Sequence, residues 1–155
     1  MNIGEILDRE GLHLATNDKR IAAFVIDNLI MSFILFLAFY EKMMEISGDI
    51  EALNRFIISI APYMLLLAII YHTIFTALYG GSIGKILCKI KIVRLDTLDK
   101  PSYLQSFFRS FIRVISENML LCIPLLYAFV DEYKRTLHDV MIQTIVIDIS
   151  IPQDI

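Results

Sequence analysis

"IAAFVIDNLIMSFILFLAFY", residues 21–40, decides the fold of this chain. It is a run of 20 residues with a single charge, Asp27. About 20 apolar residues, rising 1.5 Å each in a helix, cross the ~30 Å hydrocarbon core of a bilayer. A second run, "FIISIAPYMLLLAIIYHTIFTAL" (56–78), has 23 residues and no acid, lysine or arginine. Pro62 within it is tolerable in a helical bundle. The competing reading is the buried hairpin of a soluble domain, which would need two such runs back to back in a chain of 155 residues. Two transmembrane helices are the expectation.

Composition agrees. The chain is 57% hydrophobic and 20% charged, with a mean hydropathy of +0.65, on the apolar side of ordinary soluble domains. Its length allows one domain. A net charge of −3 is too mild for a nucleic-acid binder. Cys88 and Cys122 stand alone, without a CxxC or a nearby histidine pair, so no disulfide framework, metal site or cofactor is expected. The start, "MNIGEILDREG", is acidic and lacks a short apolar core with a small-residue cleavage site. It reads as a short amphipathic surface helix around Ile3 to Glu10, with no cleaved signal peptide.

Basic residues set the orientation. Arg9, Lys19 and Arg20 precede the first run, and Lys42 and Arg55 lie among four acids in the 41–55 loop. Lys85, Lys89, Lys91, Arg94, Lys100, Arg109 and Arg113 crowd the 79–116 stretch. The excess of Lys and Arg in cytoplasmic loops puts the N-terminus and residues 79–116 in the cytoplasm and the 41–55 loop outside.

The third apolar region, 102–130, is of another kind. In "SYLQSFFRSFIRVISE" (102–117) Ser102, Gln105, Ser106, Arg109, Ser110, Arg113, Ser116 and Glu117 share one helical side, and Leu104, Phe107, Phe108, Phe111, Ile112, Val114 and Ile115 the other. Such a helix lies in the membrane interface or lines a polar cavity with its charged side. The following "NMLLCIPLLYAFV" (118–130) reaches only about 20 Å. The two pieces therefore make either one further span or a hairpin that dips in and returns, and the basic "DEYKRTLHD" beyond them favours the hairpin. "KIKIVRL" (89–95) and "TIVIDI" (144–149) alternate with period two and read as two strands paired with each other, which also keeps the tail inside.

The expected fold is thus an all-α integral membrane protein: two transmembrane helices, a third amphipathic and partly inserted helical region, and a small cytosolic β-strand pair. Residues 1–19 form the N-terminal cytosolic segment, 20–149 the membrane domain and 150–155 a tail.

Between the second run and the first strand, "GGSIGK" (80–85) resembles a damaged phosphate loop. Three residues separate Gly80 from Gly84 where four are needed, Ile86 follows Lys85 in place of Ser or Thr, and a membrane helix precedes the loop. Nucleotide binding is excluded. Gly80, Gly81 and Gly84 instead let the chain turn sharply at the membrane face, with Lys85 facing headgroups or a buried acid.

Four motifs in order carry a resemblance: "KRIAAFVID" (19–27), "GGSIGKILCKIKIV" (80–93), "SFFRSFIR" (106–113) and "KRTLHDVMIQTIVI" (134–147). Over residues 13 to 149 the chain resembles the RDD family of bacterial membrane proteins, named for one arginine and two aspartates. The resemblance implies that Arg20, Asp27 and Asp139 are those positions, that the protein is a multi-pass protein of the bacterial inner (cytoplasmic) membrane, and that it has a loose association with transport. Where the family often has GQTxGK, this chain has Gly81 and Ser82.

Asp27 needs explaining, because an ionisable group inside a span costs about 2.5–3.5 kcal/mol and marks function or a buried partner. Arg20 lies on the same face but about 10 Å away, too far for a salt bridge. His72 should sit at a similar depth on the second helix, with Asn28, Ser32, Tyr71 and Thr73 nearby. Arg109, Arg113 and Glu117 supply further partners. Two readings stay open: Asp27 binds and releases a proton or small cation, tuned by His72 and Arg109 or Arg113, or it is a permanent clasp to one of those arginines. Asp139 could cap a turn or pair with Lys85. No catalytic residue is expected, because no serine or cysteine is placed as a nucleophile beside His138 and Asp139.

The expected function is transport of a small cation or proton centred on Asp27, through homo-oligomers because two or three helices make a thin pathway. The alternative is a non-catalytic accessory or scaffold subunit of a larger membrane complex. The lipid bilayer is the partner common to both; no nucleic acid or nucleotide is expected.

Overall fold

The computed structural model describes residues 3–46, 48–119 and 129–150. Helix α1 (Ile3–Arg9) is followed by the long helices α2 (Asn17–Glu45) and α3 (Ile50–Tyr79). Then come α4 (Ile83–Leu87), strand β1 (Ile90–Arg94), α5 (Tyr103–Met119), α6 (Leu137–Met141) and strand β2 (Thr144–Asp148). The two expected spans are therefore present as longer helices.

Local signals fix their ends. Thr16 precedes α2 and its side chain accepts from the Lys19 N–H. Asp49 caps α3, accepting from the Ala52 N–H at 2.9 Å. Helix α2 departs from helical geometry at Phe39, and α3 accommodates Pro62. Gly80 ends α3 in the left-handed conformation (φ 77°), its N–H returning to Thr76 O. A side chain there would also meet the Lys91 side chain at 2.9 Å, so glycine is required twice over. The Gly80 carbonyl accepts from the Ile92 N–H at 2.7 Å, tying β1 to the foot of α3.

The strands pair antiparallel with Ile92 opposite Val146, as their alternation predicts. Both faces of this ribbon are covered. Ile90, Ile92 and Val146 pack with Ala15 and Ala23 at the base of α2. Val93, Ile145 and Ile147 pack with Leu7 of α1. The chain before α2 is stitched to β2 by the Ala15 N–H to Val146 O (3.0 Å) and the Asp148 N–H to His13 O (2.8 Å). The N-terminal segment, the glycine turn and β2 therefore gather at one end of the α2–α3 pair. Helix α5 starts near this end, where Lys100 Nζ donates to Leu78 O, and α6 with β2 lies there too. The apolar run expected to complete the third region falls largely on residues 120–128, outside the described residues.

Two features suggest a membrane protein. Only 11% of the apolar window of each long helix is buried, whereas the core helix of a soluble domain is mostly buried. In α5 the polar side faces inward: Ser106, Arg109, Ser110 and Arg113 are buried, and Leu104, Phe107, Phe108 and Phe111 are exposed. That is the reverse of a helix packed for water.

Candidate functional site

Asp27 is 2% exposed, and the glycine turn wraps its carboxylate. Ser82 Oγ donates to Oδ2 at 2.5 Å, and the Gly84 N–H and Tyr71 hydroxyl donate to Oδ1 at 2.8 and 3.0 Å. Tyr71 in turn accepts from the Ile83 N–H at 3.1 Å. The chain comes this close because residue 84 has no side chain: a Cβ would overlap the Ala23 carbonyl oxygen and lie 2.9 Å from Asp27 Oδ1. Among the described residues no lysine or arginine forms an ion pair with Asp27. Its partners are three neutral donors.

Asp139 is the opposite case. It is 1% exposed and pairs with Arg109 from α5 and with Arg20 from α2, the latter at 3.4 Å. Thr136 donates to it from Oγ1 (2.6 Å) and from its N–H (3.1 Å), and Thr144 lies at 3.4 Å. Burial pushes this carboxyl up, but Arg109 and Arg20 hold it well below the usual carboxylate range. Because the one hydroxyl hydrogen of Thr136 is directed at Asp139, its oxygen accepts from His138 Nε2 at 2.8 Å. Burial keeps His138 well below the ordinary histidine range, hence neutral.

A third group lies higher on the same helices. Arg113 Nε pairs with Glu117 at 2.8 Å, and its Nη1 donates to His72 Nδ1 at 3.3 Å. Asp27, His72, Arg113 and Glu117 lie at the polar end of a groove of about 670 Å³ between α2, α3 and α5. Asn28 and Ser32 also line it, and apolar side chains such as Leu35, Phe56 and Met64 form the rest.

Lys85 is also buried, 9% exposed. Burial first, then the Arg113 and Arg109 charges, pull it well below the ordinary lysine range.

Several expectations are corrected. Asp27 is clasped, but by the glycine turn and Tyr71; Arg109 is taken by Asp139 and Arg113 by Glu117 and His72. His72 shares the groove with Asp27 without hydrogen bonding to it. Asp139 does cap a turn, accepting from the Thr136 N–H at the start of α6, and it pairs with two arginines and not with Lys85. Lys85 does face buried acids, Asp139 and Asp27, but hydrogen bonds to neither. Arg20 does avoid Asp27, bonding instead to Asp139 and, at 3.4 Å, to Val146 O. Sequence reasoning missed Thr136 and Thr144. The spacing T-x-x-D in "TLHD" is close to a capping box and was the available signal for Thr136.

No curated protein and no solved structure matches the chain. The family model of the RDD family matches residues 14–143, a stretch that holds Arg20, Asp27, the glycine turn and Asp139. The chain belongs to the RDD family.

Proposed function

We propose that the protein is a small transporter of the bacterial inner membrane that exchanges a small cation or proton, with Asp27 at the end of its pathway. The observation that supports this is the contrast between the two buried aspartates. Two guanidiniums pair directly with Asp139, whereas Asp27 hydrogen bonds only to neutral donors and lies at the polar end of a groove without a direct ion pair. A buried carboxylate without a direct ion pair attracts a cation. Asn28 and Ser32, farther along α2, add the oxygen ligands that a hard cation takes.

In this reading the foot of the helix pair, with the basic 79–116 stretch, is cytoplasmic. The gathering of N-terminal segment and β2 at that foot favours two full passes, with the third region dipping in and returning. A second copy covers part of the exposed α2 and α3 surface.

The experiment is flux in liposomes containing only the purified protein, with imposed Na⁺, K⁺ or Li⁺ gradients and an internal pH dye. Wild type should move protons against a cation, and Asp27→Asn should abolish this. Asparagine keeps an oxygen for the Gly84 and Tyr71 donors, so the variant should remain folded by circular dichroism. Flux that survives in Asp27→Asn while folded yield drops would leave Asp27 a structural clasp. An inert wild type that copurifies with a larger complex would point to the accessory-subunit alternative, in which other membrane helices cover α2 and α3.

A further inference from the structure

Among the described residues Lys85 is the only buried lysine, and nothing accepts a hydrogen bond from its Nζ. Helices on every side present charged or titratable groups to it: Asp27 from α2, His72 from α3, Arg109 and Arg113 from α5, and His138 and Asp139 from α6. The ion pairs of the cluster close without it. Arg20 and Arg109 share Asp139, Arg113 takes Glu117, and Asp27 stands with neutral donors. Three guanidiniums (Arg20, Arg109, Arg113) thus face three carboxylates (Asp27, Glu117, Asp139). A protonated Lys85 is the surplus positive charge, and it lies one residue after the Gly84 N–H that holds Asp27.

We propose that Lys85 is the proton-binding site of the exchange: its amine holds a proton when no cation sits against Asp27 and releases it when one does. This rests on the cation reading above and assigns the proton to a different residue. One added positive charge is tolerated near Asp27, on the amine or in the groove, and two repel. A guanidinium cannot take this part because it does not deprotonate, whereas a buried amine does. The coupling is reciprocal: a cation weakens proton binding by the same factor as the proton weakens cation binding.

The test uses the full chain labelled with 15Nζ-lysine in nanodiscs, with the Lys85 signal identified by its loss in Lys85→Arg. The Nζ shifts are followed against pH in choline chloride and then in NaCl, KCl or LiCl at equal ionic strength. The expected result is a Lys85 proton affinity at least about tenfold below that of the other lysines, lowered again by at least one of the three cations. In liposomes, Lys85→Met should still bind the cation but no longer move protons against it. A Lys85 that titrates with the surface lysines overturns the proposal even where Asp27→Asn abolishes flux, so the transport reading then stands with another proton site. A low affinity that none of the three cations changes overturns the coupling. Absence of flux in wild type is the separate failure of the transport reading.

Discussion

At the scale of single residues, Asp27 and Asp139 show two ways of burying a carboxylate. Asp139 is neutralised by guanidiniums, and Asp27 is solvated by a turn of the backbone. Buried ion pairs are costly to break from one side, because the partner is left charged and alone. Asp139→Ala should therefore lose about 3–5 kcal/mol of stability, read from unfolding in mixed micelles. Asp139→Asn, which keeps the shape and the Thr136 contact, should lose less. Gly84→Ala tests the other aspartate. Its methyl group would overlap the Ala23 carbonyl oxygen, so α4 must move off α2 and withdraw the Gly84 N–H. A loss of about 3 kcal/mol is expected, and a variant as stable as wild type would show that the turn does not hold Asp27. Membership of these clusters was legible in the sequence, because an acid within an apolar run and arginines on one helical side are local patterns. The pairing was not. Counting available arginines suggested a guanidinium for Asp27, and only the close approach of a glycine backbone, a tertiary fact, shows that neutral donors do the work.

At the scale of elements, the ribbon β1–β2 anchors both long helices. Its alternation and partnership followed from period two and the need of a lone strand for a mate. Its burial on both faces did not, because that depends on α1 folding over Val93, Ile145 and Ile147. One ion pair joins ribbon to helix: Lys19 Nζ lies 2.6 Å from Asp148 Oδ2. Burial raises the Asp148 carboxyl, but hydrogen bonds from Lys19 and Ser150 outweigh it and bring it down to about 2. A carboxyl held lower in the folded than in the unfolded chain, where it titrates near ~3.9, stabilises fully above the unfolded value. That stabilisation fades as pH falls toward about 2. The difference in melting temperature between wild type and Asp148→Asn should thus be constant above about pH 5 and shrink below about pH 4. A difference that does not change with pH would remove the ion pair from the account. Helix α5 belongs to this scale as well. Its two-sided pattern was evident in the sequence, but it fitted both an interfacial and a cavity-lining helix. The structure turns its charged side inward onto Asp139 and His72.

At the scale of the whole molecule, two long helices with exposed apolar surfaces stand on a small foot that holds Arg20, Lys85 and Asp139, with Asp27, His72 and Arg113 lining the groove above it. The spans were legible because hydropathy needs no tertiary information. The course of the third region was not, because a mostly apolar run of 13 residues (118–130) fits a hairpin and the end of a span alike. The interlocking of β2 with the chain before α2, and of β1 with Gly80, gathers both ends of the described chain at one end of the long helices, which in the proposed two-pass reading is one side of the bilayer. Single cysteines at the exposed positions Asp8, Glu51 and Glu132, in a background with Cys88 and Cys122 replaced by serine, test this with a membrane-impermeant maleimide on intact cells and inverted vesicles. Asp8→Cys and Glu132→Cys should react only in inverted vesicles, and Glu51→Cys only in intact cells. Labelling of positions 8 and 132 from opposite sides would contradict that reading.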